Sequence, residues 1–393
     1  MTERTLRGKT AVVGIGETTY YKRGGAPDPE FVLALKAILA ACEDAGIDPR
    51  EVDGFSSYSN DRNDPSRISA ALGLKELKFA CMQWGGGGGG GSAAVANAAA
   101  AVANGVADTV VVFRALAQGQ FARFGQGPKM SAIAGDMAYS MPYGVMSPAQ
   151  MFAMRCTRHL YEKGVSRDTY KAVSLATYAH AQNNPRAVMH GRPLTPEAYD
   201  EARWIVEPYQ LYDCCMENDG AAALVIVSSE RAKDLKKKPA YILAAAAGSE
   251  YRNAAPSHNA PLYATSSFTT LAPRLYQMAK VGPKDVDVLQ SYENFTGGVV
   301  MSIIEHGFCS HEEANSFMTY DNFLAKGGKL PLNTSGGNLA ECYMHGLELI
   351  TEAVRQIRGE SPNQVKDAKI SMVTSGPMVT PVSNSIFGSR ETL

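Results

Sequence analysis

The apolar positions of this chain fall into two alternating patterns: short unbroken runs, and longer runs at helical spacing. Thr10–Ile15 (TAVVGI) is a short run and reads as a buried strand. Asp28–Ala45 reads as an amphipathic helix. Pro29 stands near its start and Gly46 just past its end, which are helix start and stop signals. Val52–Ser57 and Lys78–Gln83 are further strand candidates, and Asp108–Phe113 (DTVVVF) is a fourth. Ser92–Asn104 is a helix of small residues, capped by Ser92 and stopped by Gly105. Strands alternating with helices predict an α/β fold, and such continuous apolar strands suit a sheet covered on both faces.

The pattern repeats. Residues 48–60 (DPREVDGFSSYSN) and 282–294 (GPKDVDVLQSYEN) align at one offset. Val52, Asp53, Ser57, Tyr58 and Asn60 fall on Val286, Asp287, Ser291, Tyr292 and Asn294. Ser92 to Gly105 and Gly346 to Gly359 have equal length, and Lys369–Val373 follows the second as Asp108–Phe113 follows the first. Two matches in one order predict two duplicated α/β halves, 1–238 and 239–393, the second opening with the strand Tyr241–Ala247. Between the repeated parts, Gln118–Asp213 carries helical patterns at Met151–Lys163 and Arg167–Asn183. An insertion of this length after a strand reads as a substrate-facing cap.

Composition narrows the class. The chain has 393 residues, 38 Lys+Arg against 39 Asp+Glu, 45% hydrophobic and 20% charged residues, so it can bury a large core and gives no support to a polyanion binder. No apolar run has the roughly 18–20 residues needed to span a bilayer, and Met1–Thr5 shows no apolar leader. Seven cysteines, none in a CxxC pair, are expected to be reduced thiols of a cytoplasmic protein. His180, His306 and His345 lack metal-ligand spacing, and no metal site is expected.

Candidate chemistry gathers at two loops. Gly85–Gly91 is seven glycines between a strand and a helix. A flexible linker is the competing reading, but the position suits backbone N–H groups approaching a ligand at a helix N-terminus. No GK[ST] follows, and GxGxxG is matched trivially, so neither nucleotide motif is read. Asn333–Gly346 (NTSGGNLAECYMHG) places Gly336 and Gly337 in a tight turn that should face the glycine run across a pseudo-twofold axis. Tyr343 in that segment and Tyr292 at the end of the Asp285–Ser291 strand are candidates to converge, because ligands gather at strand C-termini. Among eighteen tyrosines, position alone favours packing roles. The stretch from Phe113-Arg114-Ala115-Leu116 through Arg123-Phe124-Gly125 is candidate pocket lining, with a surface loop as the competing reading. Cys214 and Cys215 read as packing at a strand entry, and Cys342 as a neighbour of the pocket.

Several stretches together resemble the thiolase superfamily, in its sterol-carrier-protein-x branch. They are Gly164-Val165-Ser166, Ala176, His180–Ala187 (HAQNNPRA), Asp219–Val227 (DGAAALVIV), Tyr292–Phe295 (YENF) and Asn333–Gly346. The resemblance covers nearly the whole chain. It implies the five-layered αβαβα fold and a coenzyme A thioester as ligand, with no separate cofactor.

The departures from that pattern carry the functional expectation. The position of the thiolase nucleophilic Cys is Gly88, and that of the second catalytic Cys is Ser375, beside Gly376. The catalytic Asn aligns with Tyr292 and the catalytic His with Tyr343. Acyl transfer needs an activated nucleophile, and none remains. Two phenols at acid/base positions suit C–C cleavage through an enolate, a retro-aldol step. The pattern is similar to the steroid side-chain-cleaving, lipid-transfer-protein-like aldolases of actinobacteria. That resemblance implies a 17-hydroxy steroid with a three-carbon CoA-thioester side chain, giving a 17-ketosteroid and propionyl-CoA. We assign Tyr343 to the hydroxyl and Tyr292 to the enolate, an order open to reversal. Gly88 and Gly376 would be oxyanion donors, with Glu293, Asn294, Asn333, Gly336 and Gly337 in support. The resemblance also implies a homodimer joined to the OB-fold acyl-CoA-associated domain of a hydratase partner, giving a heterotetramer. The competing readings are a non-catalytic acyl-CoA or lipid carrier or acyltransferase scaffold, and an acyltransferase using Cys81 or Cys342.

Overall fold

The structure is a computed structural model and describes residues 5–84, 87–121, 133–252 and 261–393. The first half contributes strands β1 (Thr10–Glu17), β2 (Gly54–Tyr58), β3 (Phe79–Gln83), β4 (Thr109–Ala117) and β5 (Asn218–Ser228). The second contributes β6 (Ala240–Gly248), β7 (Val288–Ser291), β8 (Ile370–Ser375) and β9 (Val382–Gly388). They lie side by side in the order β3-β2-β4-β5-β1-β6-β9-β8-β7. The halves meet where β1 pairs antiparallel with β6, Ala11 opposite Tyr241.

Outward from that seam, the halves share one topology. β2 is parallel to β4 and to β3; β4–β5 and β5–β1 are antiparallel. In the second half β7 is parallel to β8, β8–β9 and β9–β6 are antiparallel, and an isolated parallel bridge from Leu289 to Leu332 stands where β3 would be.

The repeat extends to single atoms. Asp53 Oδ1 accepts the N–H groups of Asp108 and Thr109 at 3.1 and 2.8 Å. Asp287 Oδ2 accepts those of Lys369 and Ile370 at 2.8 and 2.9 Å. In each half the carboxylate starts the neighbouring strand. It also moves the first strand boundary from Val52 to Gly54, because Asp53 is occupied in capping.

Helix α1 (Glu30–Ala45) ends at Gly46, whose φ of 72° no β-carbon disfavours, and lies outside β1, β4 and β5. Helix α2 (Gly91–Ala103) packs on β2, β4 and β5 and also on β6 and β9. The insertion supplies α3 (Pro148–Lys163) and α4 (Asp168–Gln182); the second half adds α5 (Leu271–Ala279), α6 (Thr296–Glu305) and α7 (Leu347–Arg358). Helix α7 reaches β7 and β8 and, across the seam, β1 and β5, while α5 covers β6 and β9. Helices α2 and α7 are therefore the middle of five layers, and every residue of α7 is buried.

Two expectations change. Ser92 is not a cap: the helix begins at Gly91, and the Ser92 hydroxyl lies 2.9 Å from those of Ser375 and Ser385. The inserted region is also more than a surface lid. Its α4 is largely buried, packs on α6, and shares one apolar core with the second half.

Candidate active site

Strand β7 ends at Ser291, whose N–H and C=O are both held by the side-chain amide of Asn333, at 2.6 and 2.8 Å. Tyr292 comes next, its N–H bonded to Thr374 O at 3.0 Å. Its ring runs between two glycines. A β-carbon on Gly88 would lie 2.1 Å from Cζ and 2.4 Å from Oη; one on Gly346 would lie 2.7 Å from Cδ2. Tyrosine at 292 in this position thus requires glycine at 88, since any side chain there would collide with the phenol.

The second tyrosine meets the first. Tyr343 Oη lies 2.7 Å from Tyr292 Oη, with Tyr292 donating. The ring centroids are 6.0 Å apart at 51°, and the Tyr343 N–H is held by Asn218 Oδ1 at 3.0 Å. Both tyrosines are buried. Burial pushes both phenols well above the ordinary tyrosine range, so each is neutral in the resting protein. Neither phenol is therefore a standing phenolate base.

Behind Tyr343 lies a group that the sequence did not assign to this site. The His345 ring meets the Tyr343 ring edge-on at 5.1 Å, and its Nδ1 lies 3.0 Å from Nη2 of buried Arg114. A guanidinium only donates, so Nδ1 accepts and the imidazole proton sits on Nε2. Burial and Arg114 hold His345 well below the usual histidine range, and Asp61 pairs with Arg114 at 2.9 Å. The tyrosine of the first half, Tyr58, donates to His345 O at 2.9 Å. Arg114 belongs to the pocket segment named from sequence, but Arg123, Phe124 and Gly125 fall outside the described residues, as do Gly85 and Gly86.

Gly87–Gly90 form a tight helical turn leading into α2, with Gly88, Gly89 and Gly90 buried. Gly376, at φ 65°, lies so close to this turn that a β-carbon on it would be 2.1 Å from Gly89 N. The two expected oxyanion donors are brought together. Serines secure the arrangement: Ser375 Oγ accepts from Ser92 N–H at 3.3 Å, and Ser383 Oγ donates to Gly89 O at 2.6 Å. The Ser375 hydroxyl, at the position of the second thiolase Cys, is engaged in this network.

The supporting residues divide. Glu293 is buried, its Oε2 accepting from Asn338 N–H at 3.0 Å, and burial raises its carboxyl to about 8. Asn294 is buried; its side-chain Oδ1 accepts from the N–H of Phe295 at 2.9 Å, and its backbone C=O from the N–H of Cys215 at 3.1 Å. Gly336 and Gly337 do not face the glycine run. A β-carbon on Gly337 would lie 1.9 Å from Glu293 Oε1, and one on Gly336 2.8 Å from Ala181 Cβ. The π-helical turn Gly337–Glu341 intervenes, and the segment reaches the site only from Tyr343 to Gly346.

The thiol alternatives find no activation. Cys342 is fully buried, and burial with nearby Glu348, Glu341 and Glu17 pushes its thiol well up. Cys81 is half-buried, held by Asn97 Nδ2 at 3.3 Å, and also raised by burial. Among the described residues no group of three or more His, Cys, Asp or Glu is placed to hold a metal, and no helix is long and apolar enough to cross a membrane.

Residues 248–389 match the family described as "Thiolase C-terminal domain-like". With the five layers and the paired loops, this makes the molecule a thiolase-fold protein whose nucleophile position is glycine. A Mycobacterium tuberculosis protein named 17-hydroxy-3-oxo-4-pregnene-20-carboxyl-CoA lyase is 39% identical over 98% of this chain and 100% of its own. A Thermomonospora curvata protein named steroid side-chain-cleaving aldolase is 40% identical, over 98% of this chain and 99% of its own. A solved structure of an Ltp2-ChsH2(DUF35) aldolase superimposes with a TM-score of 0.92 at 37% identity, covering 99% of this chain and 100% of that one. The chain belongs to the steroid side-chain-cleaving aldolases of the thiolase superfamily.

Proposed function

We propose that this chain is a carbon–carbon lyase that cleaves a β-hydroxyacyl-CoA thioester by a retro-aldol reaction. The substrate is a 17-hydroxy steroid whose three-carbon side chain is the CoA thioester. The observation that carries this is the hydrogen-bonded Tyr292–Tyr343 pair, filling the space that a nucleophilic side chain at Gly88 would need.

The hydroxyl rotors of the two phenols can turn to form a chain from the substrate hydroxyl to its α-carbon. Tyr343 takes the hydroxyl proton as it passes its own to Tyr292. The bond between the carbinol carbon and the α-carbon breaks, and its electron pair enters the thioester as an enolate. As it receives the proton from Tyr343, Tyr292 gives its own to the α-carbon of the developing enolate, so the relay is concerted and neither phenol ever carries two protons. One ketone and one saturated acyl-CoA, here a 17-ketosteroid and propionyl-CoA, account for every atom, and no oxidant is needed. Neither phenol has to ionise alone, in keeping with their burial. Backbone N–H groups of Gly88 and Gly376 hold the enolate oxygen. Coenzyme A enters as part of the substrate, and no other cofactor takes part.

The chain works with a partner, a reading supported by the two names joined in the Ltp2-ChsH2(DUF35) aldolase. We infer that the assembly is a homodimer joined to the OB-fold acyl-CoA-associated domain of a hydratase partner, a heterotetramer. The test is to incubate the chain, alone and with such a partner, with the 17-hydroxy thioester. Release of both products in equal amounts supports the reading. Binding of the thioester without ketone release in either case favours the carrier or scaffold reading instead.

A further inference from the structure

One side chain ties the two tyrosine-bearing segments together. Asn338 Oδ1 accepts from the N–H of Glu293, the residue after Tyr292, at 3.1 Å, and Asn338 N–H returns a bond to Glu293 Oε2 at 3.0 Å. Asn338 Nδ2 donates to Glu348 Oε1. That last bond closes a loop of which Tyr343 is the midpoint, and Glu348 sits two residues beyond Gly346, whose backbone lies against the Tyr292 ring. Asn338, Glu293 and Glu348 are all fully buried. Both polar ends of the Asn338 amide are therefore committed, one to the Tyr292 segment and one to the Tyr343 segment.

We propose that Asn338, anchored by Glu348, is a positioning residue that sets the separation of the Tyr292 and Tyr343 phenols. It touches neither substrate nor reacting atom. This rests on the reading of the tyrosines as the proton-transferring pair. A misplacement of about 1 Å can cost on the order of 10²-fold in rate, so a clamp on both segments acts on turnover. Burial pushes the Glu348 carboxyl well above the ordinary carboxylate range, and glutamine there keeps the shape and still offers an oxygen to Asn338.

The experiment measures kcat, KM and melting temperature of the full chain, with its partner present, for Asn338→Ala, Glu348→Gln, Glu348→Ala and Tyr343→Phe. Asn338→Ala and Glu348→Ala should lower kcat by roughly 10- to 100-fold while KM stays within about threefold, and Glu348→Gln should keep kcat near the wild-type value. A folded Asn338→Ala with wild-type kcat overturns the proposal. So does a Glu348→Gln variant as slow as Glu348→Ala, a comparison that decides even if Asn338→Ala does not fold. Tyr343→Phe separates the two readings. Normal turnover in it removes the tyrosine pair, whereas its loss beside an unimpaired Asn338→Ala removes only the clamp.

Discussion

At the scale of single residues, the site is a substitution of volume as much as of chemistry. The Tyr292 ring occupies the place where a side chain on Gly88 would stand. Gly88→Cys should therefore not restore acyl transfer. It should displace the phenol and abolish cleavage, with no acyl-enzyme detectable by intact mass; a working thiolase from that one change would contradict this. Glu293 offers a test of burial. Its carboxyl is raised to about 8 from an ordinary value near 4.5, so the folded state holds a proton that the unfolded state releases between those values. Its contribution to stability is full below about pH 4.5 and is lost as pH rises toward 8. Glu293→Gln cannot lose it, so the stability of this variant relative to wild type should rise between pH 5 and pH 8. Urea titrations at both ends of that window measure the difference, and a gap that stays constant would show Glu293 to be ionised when folded. Tyr292 and Tyr343 are legible in the sequence because they fall in a register that the family resemblance fixes. The site roles of His345, Arg114 and Asn338 are not, because they rest on contacts across long stretches of chain that no local pattern displays.

At the scale of elements, the glycine turn, β8 and β9 are joined by hydroxyls rather than by apolar packing. The Ser92 hydroxyl lies 2.9 Å from both the Ser375 and the Ser385 hydroxyls, and Ser383 bonds the loop carbonyl. Removing one partner of a buried hydrogen bond costs about 1–3 kcal/mol. Ser375→Ala should destabilise the protein by that amount while turnover stays within roughly an order of magnitude. A complete loss of turnover in a folded variant would make Ser375 a reacting group and not a tether. The duplication is readable from Val52–Asn60 and Val286–Asn294, because the same carboxylate cap and strand-end tyrosine are needed in each half. The expected Ser92 cap does not form because the glycines before it already make a turn, which frees the hydroxyl to bond across to the other half.

At the scale of the whole molecule, the two halves place their loops at one seam, with α2 and α7 buried between them. The tyrosines come from the second half, Gly88 from the first, and the Asn218 that holds the Tyr343 backbone from the strand closing the first half. The site exists only when both halves are docked, so its chemistry and the stability of the seam are expected to fail together on unfolding. The α/β class follows from alternating strands and helices, but the burial of α4 does not, since its sequence pattern is that of any half-exposed helix. The most direct test of the account is turnover of the 17-hydroxy thioester by wild type, Tyr292→Phe and Tyr343→Phe, with both products and the protein mass followed. The account predicts a fall in kcat of about 10²–10⁴ in each variant, with thioester binding retained and no covalently loaded protein in any of the three. Near-normal cleavage by both variants, or an acyl group attached to the wild-type chain, would contradict it.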